Sequence, residues 1–374
     1  MPTSLPEVAN VRALNVALGA LGLVAWGCAH RSASPLHPRA VELQSTGTTA
    51  LQRGDLDRAA GQFALALEYE PRMAEAENGL GLVALRYHDR SGASQHFRAA
   101  LALDEDLAEA HLNLGGMLLE DGETKDALVH FRAALSVDPG YGAARLATAE
   151  ALLRLGRLAD ARWELAKLCA AEPGNAAAHA DHALVLVRLD RIAAAETAVE
   201  RALEIDRHLP AAHRARAEIL RRRGDLAGAE GEWRIVLAAG GASSAGSVED
   251  RLSLGTVLAE LARWDDAAAV LSGAALAGPR HAQVHFALAY VELSRDRPAA
   301  AIAAARKALE LRPSYPEARL VLAEALLRGG DRSEGRQELR RFVDEAPPEM
   351  SAEKSRASAF LGTRQQLSLP APRN

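Results

Sequence analysis

Apolar positions along this chain fall into two regimes. Residues 13 to 26, ALNVALGALGLVAW, are an uncharged apolar run, and from residue 40 onward small and apolar residues recur with a fixed period. The stretch GDLDRAAGQFALALEYEP at 54 to 71 returns as GETKDALVHFRAALSVDP at 122 to 139, an offset of 68, or twice 34. Repeat starts at 40, 74, 108, 142, 176, 210, 248, 282 and 316 align nine copies. Position 8 is then always small: Gly47, Gly81, Gly115, Ala149, Ala183, Ala217, Gly255, Ala289 and Ala323. Position 20 is Ala59, Ala93, Ala127, Ala161, Ala195, Ala229, Ala267 and Ala301, then Gly335. Two fixed small positions predict paired helices crossing at close range, where a larger side chain would force them apart. Position 24 is mostly large and apolar, from Phe63, Phe97 and Phe131 to Leu339, with Ala305 the departure. Proline at position 32 (Pro71, Pro139, Pro173, Pro279, Pro313, Pro347) stops one helix and suits the first turn of the next.

This period and these positions resemble the tetratricopeptide repeat family over residues 40 to 349. The resemblance implies an all-α, right-handed superhelical solenoid of about nine helix-turn-helix hairpins. Each hairpin would bury its apolar face only against its neighbours. Composition agrees, since aromatics are 4% of the chain and the core must be built from helix-forming Ala and Leu. Between repeats 6 and 7 the spacing stretches to 38 within AGGASSAGS, 239 to 247, which predicts a bend dividing repeats 1–6 (40–243) from repeats 7–9 (244–349). Met350, Ala357, Phe360 and Leu361 share one helical face, as expected of a capping helix ahead of a disordered tail within 350–374.

The apolar run at 13 to 26 is short of the about 20 residues a membrane span needs and matches the core of a secretory signal. Its end, AWGC at 25 to 28, resembles the lipobox of bacterial lipoproteins, with Gly27 and Cys28 matching, Ala25 where Leu is usual and Trp26 where a small residue is usual. That resemblance implies a signal peptide over 1–27, lipidation of Cys28, and a place on the outer membrane facing the periplasm. Ala29 stands where aspartate would retain a lipoprotein at the inner membrane in some bacteria. An ordinary signal cleaved nearby, or an uncleaved anchor, would leave Cys28 incidental. Residues 28–39, rich in Ser, Pro, His and Arg, read as a flexible tether.

A formal net charge of -5 argues against sequence-independent nucleic-acid binding. GLGLVA at 79 to 84 matches a dinucleotide-binding glycine pattern but lacks the preceding strand, so Gly81 reads as the small position of its repeat. His111, His179, His213 and His285 all fall at repeat position 4, one per hairpin, too far apart to share a metal, and read as interhelical packing residues. Cys169, at position 28 of repeat 4, reads as a buried free thiol. Nothing in the register suggests a catalytic set, a cofactor or a metal.

What remains is binding. In this family the first helices line a concave groove, mainly through positions 2, 5, 9, 12 and 13. The Lys and Asn clamp of chaperone-tail-binding members is absent. Arg154, Arg188, Arg214, Arg221 and Arg222 occupy groove positions and would suit an acidic peptide or anionic polymer, unless they form a solvated face with Glu218 pairing to Arg222. Phe286, Tyr290 and Leu293 in repeat 8 would suit an apolar segment, although aromatics there are also ordinary repeat features. The expected function is a non-enzymatic scaffold or assembly factor for other cell-envelope proteins, in a motility, pilus or secretion machine. The alternative is an accessory of a cell-wall enzyme that binds peptidoglycan or glycan.

Overall fold

The structure is a computed structural model that describes residues 36–240 and 246–362. The described chain is helical, and its helices pair in chain order as hairpins. The first five hairpins are α1 (Pro38–Gln52) with α2 (Leu56–Tyr69), α3 (Ala74–Arg86) with α4 (Arg90–Leu103), α5 (Ala108–Glu120) with α6 (Thr124–Val137), α7 (Gly142–Arg154) with α8 (Leu158–Ala171), and α9 (Ala176–Arg188) with α10 (Ile192–Ile205). The next four are α11 (Pro210–Arg222) with α12 (Leu226–Gly240), α13 (Gly246–Glu260) with α14 (Trp264–Ala277), α15 (Ala282–Ser294) with α16 (Pro298–Leu311), and α17 (Pro316–Arg328) with α18 (Arg332–Glu345). A 3₁₀ turn, Pro348–Met350, leads into α19 (Ser351–Gly362), whose Ala357, Phe360 and Leu361 pack on Leu339 and Phe342 of the last hairpin.

The small positions do what their spacing requires. All the alanines at position 20 are fully buried, and Phe63, Phe97 and Phe131 at position 24 lie against the glycines at position 8 of their own hairpins. A Cβ added to Gly81 would lie 2.5 Å from Cε1 of Phe97, so glycine there is a condition of the ring's placement. Between the two helices of each hairpin, position 15 takes a left-handed backbone in every repeat. It is Gly54, Gly122, Gly156, Gly224 and Gly330, but also His88, Asp190, Ala262 and Asp296 with φ of 62, 57, 56 and 56°. In the first eight repeats the following N–H returns to a carbonyl five residues back, as Asp89 does to Ala84 at 2.9 Å, which closes the end of the first helix in a Schellman geometry.

Among the described residues the chain divides into two compact units, 36–207 and 208–362. This differs from the expected division at 239–247. One core cluster joins Trp233 and Val236 of α12 to Leu254, Val257 and Leu258 of α13, and Arg214 of α11 makes a two-pronged contact with Asp250 of α13 at 2.7 and 2.8 Å. Hairpins 6 and 7 are thus joined by these side chains. Helix α1 also starts at Pro38, inside the stretch expected to be tether. The segments assigned to signal, lipidation site and tail lie outside the described residues, as does most of the tether.

Candidate functional site

The first helices carry a polar ladder that the repeat register builds. Position 4 faces position 23 of its own hairpin: Glu77 with His96 at 2.7 Å, His111 with His130 at 2.9 Å, Arg145 with Glu164 at 2.8 Å, His213 with Glu232 at 2.6 Å and Arg319 with Glu338 at 2.9 Å. The same position-4 side chains reach back to the carbonyl at position 32 of the preceding repeat. His111 meets Glu105 at 3.0 Å, His179 meets Pro173 at 3.3 Å and His285 meets Pro279 at 3.0 Å, while Arg145 and Arg319 donate to Pro139 and Pro313. Three of the four position-4 histidines, His111, His179 and His285, therefore tie hairpin junctions through hydrogen bonds, where packing alone was expected. Among the described residues no three of His, Cys, Asp and Glu are grouped so as to hold a metal ion.

One rung has two imidazoles. A carbonyl only accepts, so His111 Nε2 carries a proton toward Glu105, His111 Nδ1 is an acceptor, and His130 Nδ1 must donate to it. Burial holds the His130 imidazole below the ordinary histidine value; His111 and Arg98 push the same way and Asp126 opposes them. A lowered folded value means the neutral ring is the one the fold favours. Its contribution is complete above the unfolded value of about 6.5 and is lost as pH falls through the lower folded value. The melting temperature of the wild type should thus fall more between neutral and mildly acidic pH than that of His130→Gln, and parallel curves would reject this role for the pair.

The arginines proposed for a groove are mostly engaged within the protein. In the unit 36–207, Arg154 donates to the Leu119 carbonyl at 2.7 Å and pairs with Glu150 at 2.8 Å, bracing α7 on α5. Arg188 is exposed and forms no ion pair among the described residues. In the unit 208–362, Arg214 grips Asp250, Arg221 pairs with both Glu218 at 3.0 Å and Glu260 at 2.9 Å, and Arg222 shares Glu218 at 3.1 Å. These side chains brace first helices against each other, and their charge is answered locally. Of the arginines expected to bind an anion, only Arg188 is without such a partner: Arg214 and Arg221 meet acids of the next hairpin, and Arg154 and Arg222 meet acids of their own helices.

The apolar candidates divide similarly. Leu293 is 4% exposed and belongs to the core formed with Val321, Leu322 and Leu326, so it cannot face a bound segment. Phe286 and Tyr290 are half-buried, with Phe286 tilted against Tyr315 at 5.0 Å between centroids and Tyr290 meeting the edge of Trp264 at 6.1 Å. Position 12 is also buried at Leu51, Leu119 and Val187. Cys169 is half-buried, and burial, with help from Asp181 and Glu172, pushes its thiol up to about 11, so it stays protonated and unreactive at neutral pH.

Residues that the sequence reading did not single out stand on the second helices. Val129 of α6 is 65% exposed and Trp163 of α8 is 52% exposed, with the Lys167 ammonium 3.2 Å from the centre of the indole. They share position 22 in successive repeats, where the flanking hairpins place Gln95 and Thr197. A large apolar side chain at a solvated position was the available signal.

Stacked helical hairpins whose polar groups are spent on their own junctions, with long exposed helix faces, define a repeat protein that works by presenting surface. Profiles of the tetratricopeptide repeat match residues 118–180 and 292–353, and 46–87, 180–242 and 252–316. The chain belongs to the tetratricopeptide repeat family, a class of protein-interaction scaffolds. Among solved structures it is similar to a chain of the APC/C hetero-tetramer Cut9-Hcn1, at 18% identity and TM-score 0.58, covering 76% of this chain and 55% of that one. It thus spans about half of that relative's length. It is also similar to PilW, a widely conserved type IV pilus biogenesis factor, at 20% identity and TM-score 0.50, covering 59% of this chain and 99% of PilW. A looser likeness, TM-score 0.40 at 20% identity, is to MamA 41-end from Desulfovibrio magneticus RS-1, covering 46% and 97%. At these identities the likeness is one of fold. No curated protein matches the chain in sequence.

Proposed function

We propose that this protein is a non-enzymatic scaffold or assembly factor of the bacterial cell envelope, held at the outer membrane by a lipidated Cys28 and presenting its repeats to the components of a motility, pilus or secretion machine. The observation that carries the scaffold part is the spending of polar groups: histidines and arginines that could serve chemistry or anion binding are tied into hairpin junctions, while large side chains stand out on helix faces. The envelope part is supported by AWGC at 25 to 28, by the apolar run before it, and by the position of Cys28 outside every repeat. PilW, a pilus biogenesis factor with a similar fold, is an example of the kind of machine in view. Among the described residues no helix is long and apolar enough to cross a membrane, and in this reading the anchor is a lipid at Cys28. Direct glycan binding through the arginines is disfavoured by their pairing.

Two experiments test this. Cys28→Ala should move the protein from the membrane to the soluble fraction of cells, and unchanged fractionation would sink the anchor. Crosslinking in intact cells followed by affinity purification should return a defined membrane complex; recovery of the chain alone would count against the scaffold.

A further inference from the structure

Among the described residues, an exposed surface rich in cations lies on the outer faces of α6 and α8. Lys125, Val129, Arg132, Arg162, Trp163 and Lys167 are all exposed there. They occupy repeat positions 18, 21, 22, 25 and 26, which a period of 3.6 residues gathers into one stripe along each helix. The two helices contribute to a single buried core through Leu128, Phe131 and Ala161, so their outer stripes belong to successive hairpins of one stack.

Charge sets this face apart. Lys125, Arg132 and Arg162 make no ion pair or hydrogen bond among the described residues, and Lys167 rests on the Trp163 ring. Arg98, at position 25 of the preceding repeat, extends the row in the same way. Acids near the stripe are Asp126, on its edge, Asp160, held by Arg157 at 2.6 Å, and Glu196 and Glu200, at positions 21 and 25 of the next repeat on α10. On the first helices and hairpin turns Arg90, Arg145, Arg214, Arg221 and Arg263 each have acidic partners. The exposed tryptophan is thus flanked by several exposed cations that form no ion pair among the described residues.

We propose that this outer face of α6 and α8 is a docking surface for an acidic amphipathic segment of another protein, with carboxylates on both sides of one large apolar side chain. The apolar group would cover Val129 and Trp163, and the carboxylates would meet Arg132, Arg162 and the two lysines. Guanidinium forks match carboxylates in two-pronged pairs, and Trp with Arg are the side chains that most often dominate protein interfaces. Two protruding apolar side chains offer little to insert into a bilayer, which favours a protein partner over an anionic lipid surface. The proposal rests on the reading of the chain as a protein-binding scaffold and adds where on it, and to what chemistry, a partner binds.

The test uses the purified full chain and a fluorescein-labelled helical peptide with leucines on one face flanked by glutamates. Two sister peptides replace glutamate by lysine or leucine by serine. The acidic amphipathic peptide should bind at least about tenfold more tightly than either sister at low salt. Trp163→Ala, and separately Arg132→Glu with Arg162→Glu, should each weaken it by about tenfold or more while leaving the melting temperature unchanged, since these side chains are exposed. Tyr290→Ala should leave binding intact. No binding, equal binding of the sister peptides, or equal binding by the variants would overturn the proposal. So would Trp163-dependent binding to phosphatidylglycerol vesicles without binding of the peptide. None of these results depends on Cys28, so this proposal and the envelope reading can fail separately.

Discussion

Phe97→Ala is expected to destabilise the protein by about 3–5 kcal/mol, the usual cost of removing a fully buried aromatic ring. Phe97 is 0% exposed and fills the space beside Gly81, in a core shared with Leu114 and Met117 of the next hairpin. A repeat that cannot bury its own apolar face passes the loss on, so hairpin 3 should lose protection from hydrogen exchange along with hairpin 2. The partner glycine gives the prediction its sharper form. With the ring in place, Gly81→Ala sets a Cβ 2.5 Å from Cε1, and the clash outweighs the about 1 kcal/mol that alanine gains over glycine in a helix. With Phe97 already alanine, the same substitution has room and should stabilise. Urea denaturation of the two single variants and the double variant reads this reversal of sign as a coupling energy. Additive effects would mean that the ring and the glycine do not define each other's place.

The contrast between what could be read in the sequence and what could not follows from the range of each interaction. Gly81 and Ala93 were legible because they answer a demand made within one hairpin, and the demand recurs every 34 residues. The left-handed residue at position 15 was hidden for a local reason. Five repeats use glycine there, but His88, Asp190, Ala262 and Asp296 adopt the same φ, so no single residue type marks the site. The position-4 histidines could be placed on their helices but not given partners, since a carbonyl in the preceding turn leaves no trace in residue type.

The candidate binding residues were misread for a related reason. Arg221 looked available beside Glu218, but its second carboxylate, Glu260, lies 39 residues on and across an irregular junction. Leu293 was assigned to a groove by its repeat position, whereas position 12 turns into the core wherever the neighbouring hairpin supplies apolar side chains, as Val321 and Leu322 do. Trp163 and Val129 needed no structure to be found. They break the pattern of position 22, and attention to the second helices as well as the first would have exposed them.

Arg214→Ala is the substitution that most directly separates the two roles an arginine on a first helix can have. If Arg214 served a ligand, removing it would leave stability alone. The structure makes the opposite case: Asp250 is 4% exposed, and both of its carboxylate oxygens accept from Arg214, at 2.7 and 2.8 Å. Deleting the guanidinium leaves a carboxylate buried without its partner, at an expected cost of about 3–5 kcal/mol. Replacing both residues by leucine removes the charge with the pair and should cost much less, because a buried ion pair contributes little net stability over an apolar pair of similar size. The comparison has a spatial consequence as well. Arg214 and Asp250 join α11 to α13, so losing the pair should speed hydrogen exchange in both helices in Arg214→Ala more than in the double variant. Thermal or urea unfolding of the three proteins decides the matter. If Arg214→Ala proves as stable as wild type, Asp250 has another way to be satisfied, and Arg214 returns to the set of groups free to meet a partner.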